Sequence, residues 1–429
     1  MKNFLFASIC FLTWAGGLAQ NSFKELCTAF INGYQELSIP PTSLDYKTNF
    51  ENIKDTIALA VQKKFFIGFS EKLSAFTNSK TDKIRLSQLQ YEIGMNLRRI
   101  ELESQWNREG RKIPQAGFYS MSNAADWYTY YIQYFTSVAI SPSQVFAMGQ
   151  SEVKKVQGEI AKLREKLGYK SDAEFYTHLA GDSFFITDKS AVIKKYEIID
   201  SLVRKNAGLL YPTDHIAEIG LMEWPDASAT TPPGMYLDQE RNAYGKDVFL
   251  FNFYGHKHNQ RSMQWLYMHE GIPGHHLQSV MRRSSKHTSP LQNELFYFGN
   301  AEGWACYVED HGKEIGMFAN DYDYLGKWQW DLVRSARLVM EVGIHYYGWS
   351  FEKALQYWKE NIKGQDEIAE REITRITNWA GQALCYKVGA LTIEKVVAKK
   401  MQEGMSRKEA NTFLLKYSDV PLQVLVDLG

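Results

Sequence analysis

Along most of the chain, apolar residues return every three or four positions, the spacing that lays one side of an α-helix against a core. Lys54–Lys64, Arg85–Leu102 and Asp331–Tyr346 carry this period. Ser141-Pro142-Ser143-Gln144 sets a capping hydroxyl, a first-turn proline and a side-chain amide ahead of an amphipathic run through Ser151–Lys166. Ser406-Arg407-Lys408-Glu409 repeats the capping box before Ala410–Leu415. One region breaks the pattern. Thr230-Thr231-Pro232-Pro233-Gly234 interrupts the helical period, and Met235-Tyr236-Leu237 and Val248–Tyr254 are rich in β-formers. The pattern predicts a mostly α fold with a small β-sheet directly before a histidine-rich stretch. An exposed edge strand there could pair with an extended peptide, and a buried hairpin with only a packing role fits the pattern equally well.

At 429 residues the chain has room for several average domains, yet no repeat, low-complexity tract or long linker divides it. The expected organisation is a signal peptide over residues 1–19, an N-terminal helical region over 20–229, and a metal-binding catalytic region over 230–429. The last two are expected to form one continuous globular unit. Lys2 followed by the short apolar run Phe4–Trp14 and by Gly17-Leu18-Ala19 has the form of a cleaved export signal, with Gln20 first in the mature chain. Cys10 lies inside the apolar run and is followed by Phe11-Leu12, so it does not read as a lipid-anchor site. The protein is therefore expected to be exported, periplasmic or secreted, without a membrane anchor. The mature chain keeps Cys27, Cys306 and Cys385, too few for a disulfide scaffold. Lys plus Arg equal Asp plus Glu at 49 each, which gives no electrostatic reason for a nucleic-acid partner. Aromatic residues make up 14%, which suits a large packed core or a cleft for peptide or sugar.

Six of the ten histidines (His256, His258, His269, His275, His276 and His287) fall in one stretch. Within it, a helical approach from Met263 runs into His269-Glu270-Gly271-Ile272-Pro273-Gly274-His275-His276. In the zinc-peptidase pattern H-E-x-x-H, two histidines four apart share a helical face and the glutamate faces the metal-bound water. Here Pro273 occupies the second histidine's position. It has no N–H for the carbonyl of His269, so the helix must kink or loosen, with Gly271 and Gly274 easing the distortion. An unbroken helix would return His276 to the face of His269, whereas a widened turn would bring His275 round. A third ligand is expected from Ala301-Glu302-Gly303-Trp304-Ala305-Cys306-Tyr307-Val308-Glu309, with Glu302 the candidate. Glu309 shares its helical face and would orient a ligand, although a plain surface carboxylate is the simpler reading. Spacing alone leaves solvated histidines as open as a metal site.

In these motifs the chain resembles a bacterial family known as domain of unknown function 885. The resemblance runs through nearly the whole mature chain. It is carried by His269–Gln278, Ala301–Tyr307, Arg337-Leu338-Val339 with Gly343–Ser350, and Gly381–Gly389, and it departs at Ala380, where members carry proline. It implies a large helical zincin-like metallopeptidase fold and favours His275, the first histidine after Pro-Gly, over His276. With Zn2+ held by two histidines and Glu302, bound water would ionise near neutral pH, and Glu270 is the expected general base for peptide-bond hydrolysis. The oxyanion formed needs a further donor. His345, Tyr386 and Arg375 are the candidates, with a core histidine, a packed ring and a salt-bridged surface group as their plainer readings. Two other classes remain open. One is a carboxylate-bridged di-iron protein, although no Glu-x-x-His motif occurs and Glu341 and His345 are four apart. The other is a catalytically inactive peptide-binding protein of the same fold. A peptide is the expected partner in either peptidase or binder, and the sequence leaves the oligomeric state open.

Overall fold

The helix Asp321–His345 runs through the middle of the protein and has no solvent face from Leu325 to His345, where only Trp330 is even half-buried. A buried helix can carry charge only if each group is paired inside. Its polar residues follow one another at three- and four-residue steps, and each finds a partner on a neighbouring element. Lys327 meets Asp310 and Asp331. Asp331 meets Lys387 at 2.7 Å, Arg334 meets Glu309 at 2.8 Å, and Arg337 meets Glu372 at 2.6 Å. Glu341 Oε1 accepts from Gly381 N at 2.6 Å and from Tyr128 OH at 3.2 Å. These pairs tie the later helices to a single spine.

Pro142–Lys166 lies along this helix, and the approach is close: a Cβ at Gly149 would stand 2.7 Å from Leu338 Cβ. Phe298–Asp310 and Leu384–Gln402 form a second intimate pair, because Gly303 faces Gly389 at their crossing. The computed structural model describes residues 23–76, 82–110, 112–214, 216–284 and 289–428. The expected signal peptide, with Cys10 and the cleavage site before Gln20, lies outside the described residues, as does His287. Helices form where the apolar period predicts them, at Thr56–Leu73 and Lys83–Arg108 as well as the central one. Both capping boxes form, at Ser141 and Ser406.

A three-stranded sheet has the order Gly220–Glu223, Val248–Phe251, Gly234–Leu237, with the first pair parallel and the second antiparallel. The Gly220–Glu223 strand was not legible in the sequence. The middle strand stops at Phe251 rather than running on to Tyr254, because Asn252 turns its side chain to Thr231 O (2.9 Å) and Tyr254 N (2.8 Å). Gly234–Leu237 is an edge strand. Asn252 N donates to Pro233 O at 2.9 Å, so by strand alternation Gly234 and Tyr236 turn their backbone groups to the open side.

Residues on both sides of position 230 share the same cores. Val192, Tyr196 and Ile199 pack with Phe249, Met263 and Tyr267, and Val153 and Val156 pack with Leu332 and Val333. Cys27, Cys306 and Cys385 are buried free thiols. Among the described residues no helix is long and apolar enough to cross a membrane.

Candidate metal centre

The proline break does more than kink the helix. Met263–Glu270 ends outright, and a new helix, His275–Ser284, begins four residues after Gly271. Between them His276 N donates to Gly271 O at 3.2 Å, five residues back and so wider than an α-turn. Gly274 is pressed so close to the preceding helix end that a Cβ there would lie 1.9 Å from His269 O. Trp304 Nε1 closes the turn by donating to Pro273 O at 2.9 Å. The extra residue in the turn swings His275 toward His269, and their ring centroids are 4.9 Å apart.

Glu302 completes a triad. Its Oε2 lies 3.5 Å from His269 Nε2 and 3.5 Å from His275 Nε2. Donors at about 2.0–2.2 Å from one tetrahedral ion stand roughly 3.3–3.6 Å apart, so the spacing fits a shared metal. Two imidazoles and a carboxylate are also a donor set suited to zinc. A second candidate group, His269 with Cys306 and Glu309, lies behind the first and shares its histidine.

Glu309 is no surface carboxylate. It is buried, its Oε1 is 2.8 Å from His269 Nδ1, and Arg334 Nη1 donates to its Oε2 at 2.8 Å. A carboxylate here makes His269 Nδ1 the donor and leaves Nε2 as the nitrogen that holds either a proton or a metal at the triad. Burial opposes charge on His269, but its bonds with Cys306, Glu302 and Glu309 outweigh this and hold its pKa well above the ordinary value. Burial would likewise raise the Glu302 carboxyl, but the two imidazoles hold it well below the usual carboxylate range.

His276, the alternative ligand, faces the other way. It is fully buried with Nε2 3.3 Å from Asp247 Oδ2. Asp247 also binds Arg283 Nη2 (2.6 Å), Tyr236 OH (2.6 Å) and Gln239 N (3.0 Å), which fastens the second histidine helix to the edge strand. That strand then reaches the site itself: Tyr236 N donates to Glu270 Oε2 at 2.8 Å. Glu270 is thus bonded to the strand's open edge and lines the same cleft as the triad.

Of the three donor candidates, two reach the site. Tyr386 lies with its ring nearly parallel to His269, centroids 6.5 Å apart. Its oxygen accepts from Arg375 Nη2 at 3.1 Å and Gln382 Nε2 at 3.3 Å, which occupies both lone pairs and leaves its one O–H to donate elsewhere. Burial, together with the charge of Glu302, raises the Tyr386 pKa. His345 is not at the site. It sits in an aromatic core stacked on Tyr128, with Nε2 donating to Ile376 O at 2.8 Å, because its face of the central helix turns toward the early helices. Glu341 is likewise in the core and offers no second metal position with it. Arg334 and Asp247, which build the site from behind, were not singled out from the sequence.

The triad, Glu270, Tyr386 and Arg375 line one cleft of about 820 Å³, walled by Pro232–Asp238 on one side and Trp330, Arg371 and Trp379 on the other. Such a space accommodates several residues of an extended peptide.

No curated protein matches the chain. Among solved structures, a protein from Colwellia psychrerythraea superposes with a TM-score of 0.66 at 22% identity, covering 89% of this chain and 74% of that one. A protein from Shewanella oneidensis gives 0.59 at 19% identity, covering 88% and 73%. Each is described as a "putative lipoprotein", the second of unknown function, and the likeness establishes a common fold. Residues 36–428, nearly the whole described chain, match a family described as bacterial protein of unknown function, and the chain belongs to that family, DUF885.

Proposed function

We propose that this protein is an exported zinc-dependent peptidase. One observation carries the reading: His269, His275 and Glu302 converge on one point inside a cleft that also holds a buried carboxylate, Glu270, and a peptide-compatible strand edge. Export is supported by the signal-like N-terminus and by the description of the two similar structures.

His269, His275 and Glu302 would hold the ion, with Glu309 and Arg334 fixing the His269 ring. Zinc in such a site supplies a Lewis acid that lowers the pKa of water and polarises a carbonyl. The chain's own groups do the rest. Gly234 N–H and the carbonyls of Gly234 and Tyr236 are on offer along the open strand edge, where an extended substrate can lie as a further strand, while Tyr236 N–H holds Glu270. Glu270 Oε2, beside that edge, accepts the proton of the attacking water and returns it to the leaving amine. Tyr386 donates its remaining O–H to the oxygen that gains charge as the carbonyl becomes tetrahedral. Trp265 and Trp330, stacked with centroids 5.4 Å apart, help exclude water from the cleft floor.

The test is a peptide-library digest with and without a chelator, repeated with Glu270→Gln. Turnover should vanish with chelator and return with zinc. Glu270→Gln should retain zinc but lose about 10²–10⁴-fold in rate. Turnover indifferent to chelator, or unchanged in Glu270→Gln, contradicts the proposal; peptide binding without turnover in zinc-loaded wild type would indicate an inactive binding protein.

A further inference from the structure

Four arginines reach the cleft wall from two neighbouring helices, and three of them touch a carboxylate: Arg334 meets Glu309, and Arg337 and Arg371 share Glu372. Arg375 is different. Its Nη2 donates to Gln382 Oε1 at 2.6 Å and to Tyr386 OH at 3.1 Å, both neutral acceptors. Its Nε is buried without a partner, and Nη1 has no acceptor among the described residues. No carboxylate of the described residues lies within ion-pair distance of it; Glu372, in contact with Arg337 and Arg371, acts on it only at longer range. The guanidinium lies over the faces of Trp379 and Tyr386, 5.4 and 5.6 Å from their centroids, and these rings hold its plane in place. A largely buried guanidinium with no carboxylate in contact is costly, and Arg375 lines the substrate cleft with its Nη1 still unengaged. The arrangement is complete only with an anionic ligand.

We propose that Arg375 binds the terminal α-carboxylate of the substrate, which makes this protein a carboxypeptidase. The inference rests on the peptidase reading above. Tyr386 links the two halves of the argument: it accepts from Arg375 and has its O–H free for the reacting carbonyl. The anion bound by Arg375 therefore lies close to that carbonyl. Consecutive residues are about 3.8 Å apart, so the carboxylate of the residue just after the scissile bond is within reach. A chain terminus is the anion every peptide carries, and a planar guanidinium is matched to a carboxylate. In the reaction water adds to the penultimate carbonyl carbon, the C–N bond breaks, and the water's proton passes through Glu270 to the leaving amine. The products are one free amino acid and a peptide with a new C-terminal carboxylate. An Asp or Glu side chain offers the same chemistry, and the experiment separates the two sources.

Three peptides of one sequence are digested by the zinc-loaded protein and analysed by mass: a free acid, its C-terminal amide, and an amide ending in glutamate. Single residues should be released from the free acid, with kcat/KM about 100-fold lower for both amides, the scale of losing a charge-assisted pair. Arg375→Gln should raise KM for the free acid about 100-fold and abolish its preference over the amide, with Arg375→Lys recovering part of the preference. Binding to Glu270→Gln by calorimetry, which needs no turnover, should show the same preference for the free acid. Equal, chelator-sensitive cleavage of acid and amide at internal bonds would overturn the inference and leave the peptidase reading intact. Cleavage of the glutamate-ended amide as fast as the free acid would assign Arg375 to a side chain and also overturn it. Absence of chelator-sensitive hydrolysis of any of the three would remove the peptidase reading and the inference together.

Discussion

Gly303→Ala tests whether helix spacing sets the geometry of the site. Gly303 follows Glu302, and its partner Gly389 lies three residues after Tyr386 on the facing helix. A Cβ at position 303 would stand 2.6 Å from the carbonyl carbon of Gly389 and 2.7 Å from its Cα. Carbon atoms prefer about 3.5–4.0 Å, so the helices must part by about 1 Å. Both contacts are backbone, so no side chain can rotate away. Overpacking of this kind costs about 1–3 kcal/mol. Alanine recovers about 1 kcal/mol through helix propensity, so the net loss is at most about 2 kcal/mol and the melting temperature falls by only a few degrees. The effect on chemistry should be larger, because a 1 Å displacement between Glu302 and Tyr386 can cost about 100-fold in rate. Gly158→Ala is the control. That glycine is in the helix Pro142–Lys166 with open space around it, so alanine should stabilise slightly and leave the site alone. Thermal melts, zinc competition against a chromogenic chelator and peptide turnover measure the three quantities. If Gly303→Ala matches wild type in both zinc affinity and turnover, helix spacing does not set the site.

Four further outcomes are expected. His275→Ala should lower zinc affinity by more than the about 10–100-fold typical of outer partners, whereas Glu309→Gln should stay within that range. His276→Gln should weaken the fold through Asp247 but keep zinc stoichiometry, as equilibrium dialysis would show. Burial pushes the His345 pKa down to about 4, below its value of 6.5 in the unfolded chain. The unfolded state therefore binds the extra proton, and stability falls as pH drops from about 6.5 to about 4, by about 3 kcal/mol, then levels off; denaturant unfolding of His345→Phe should lack this component. Burial pushes Glu341 up to about 8, against hydrogen bonds from Gly381 and Tyr128. Here stability is greatest below the unfolded value near 4.5 and declines as pH rises to about 8. Glu341→Gln should therefore stabilise the protein at pH 8 by a few kcal/mol and much less at pH 5, by the same unfolding assay.

Local signals were legible in the sequence. The capping hydroxyls of Ser141 and Ser406, and the apolar period of the main helices, depend on neighbours within one or two turns. The consequences of Pro273 were half legible. A missing N–H announces a break, but whether His275 or His276 turns toward His269 depends on the packing of Trp304 and the pressed contact at Gly274, both non-local. Glu309 was misjudged because an isolated carboxylate looks solvated until Arg334 is seen against it. The signal that could have exposed the pairing lies in the central helix: Lys327, Asp331, Arg334, Arg337, Glu341 and His345 form a polar stripe through an otherwise apolar run. A charged stripe on a helix too apolar for solvent implies buried partners elsewhere. His345, a donor candidate from the family-like block, completes this stripe by bonding Ile376 in the core rather than by reaching the cleft. Gly220–Glu223 was invisible because its parallel pairing is made with residues far along the chain.

The most direct measurement is zinc titration of metal-stripped protein followed by X-ray absorption at the zinc edge. One zinc per chain is predicted, with two imidazole nitrogens and a carboxylate oxygen at about 2.0–2.2 Å, and with the signal altered in His269→Ala and Glu302→Gln. A metal pair, a coordination shell unchanged by those substitutions, or no zinc bound at all would contradict the shared site of His269, His275 and Glu302.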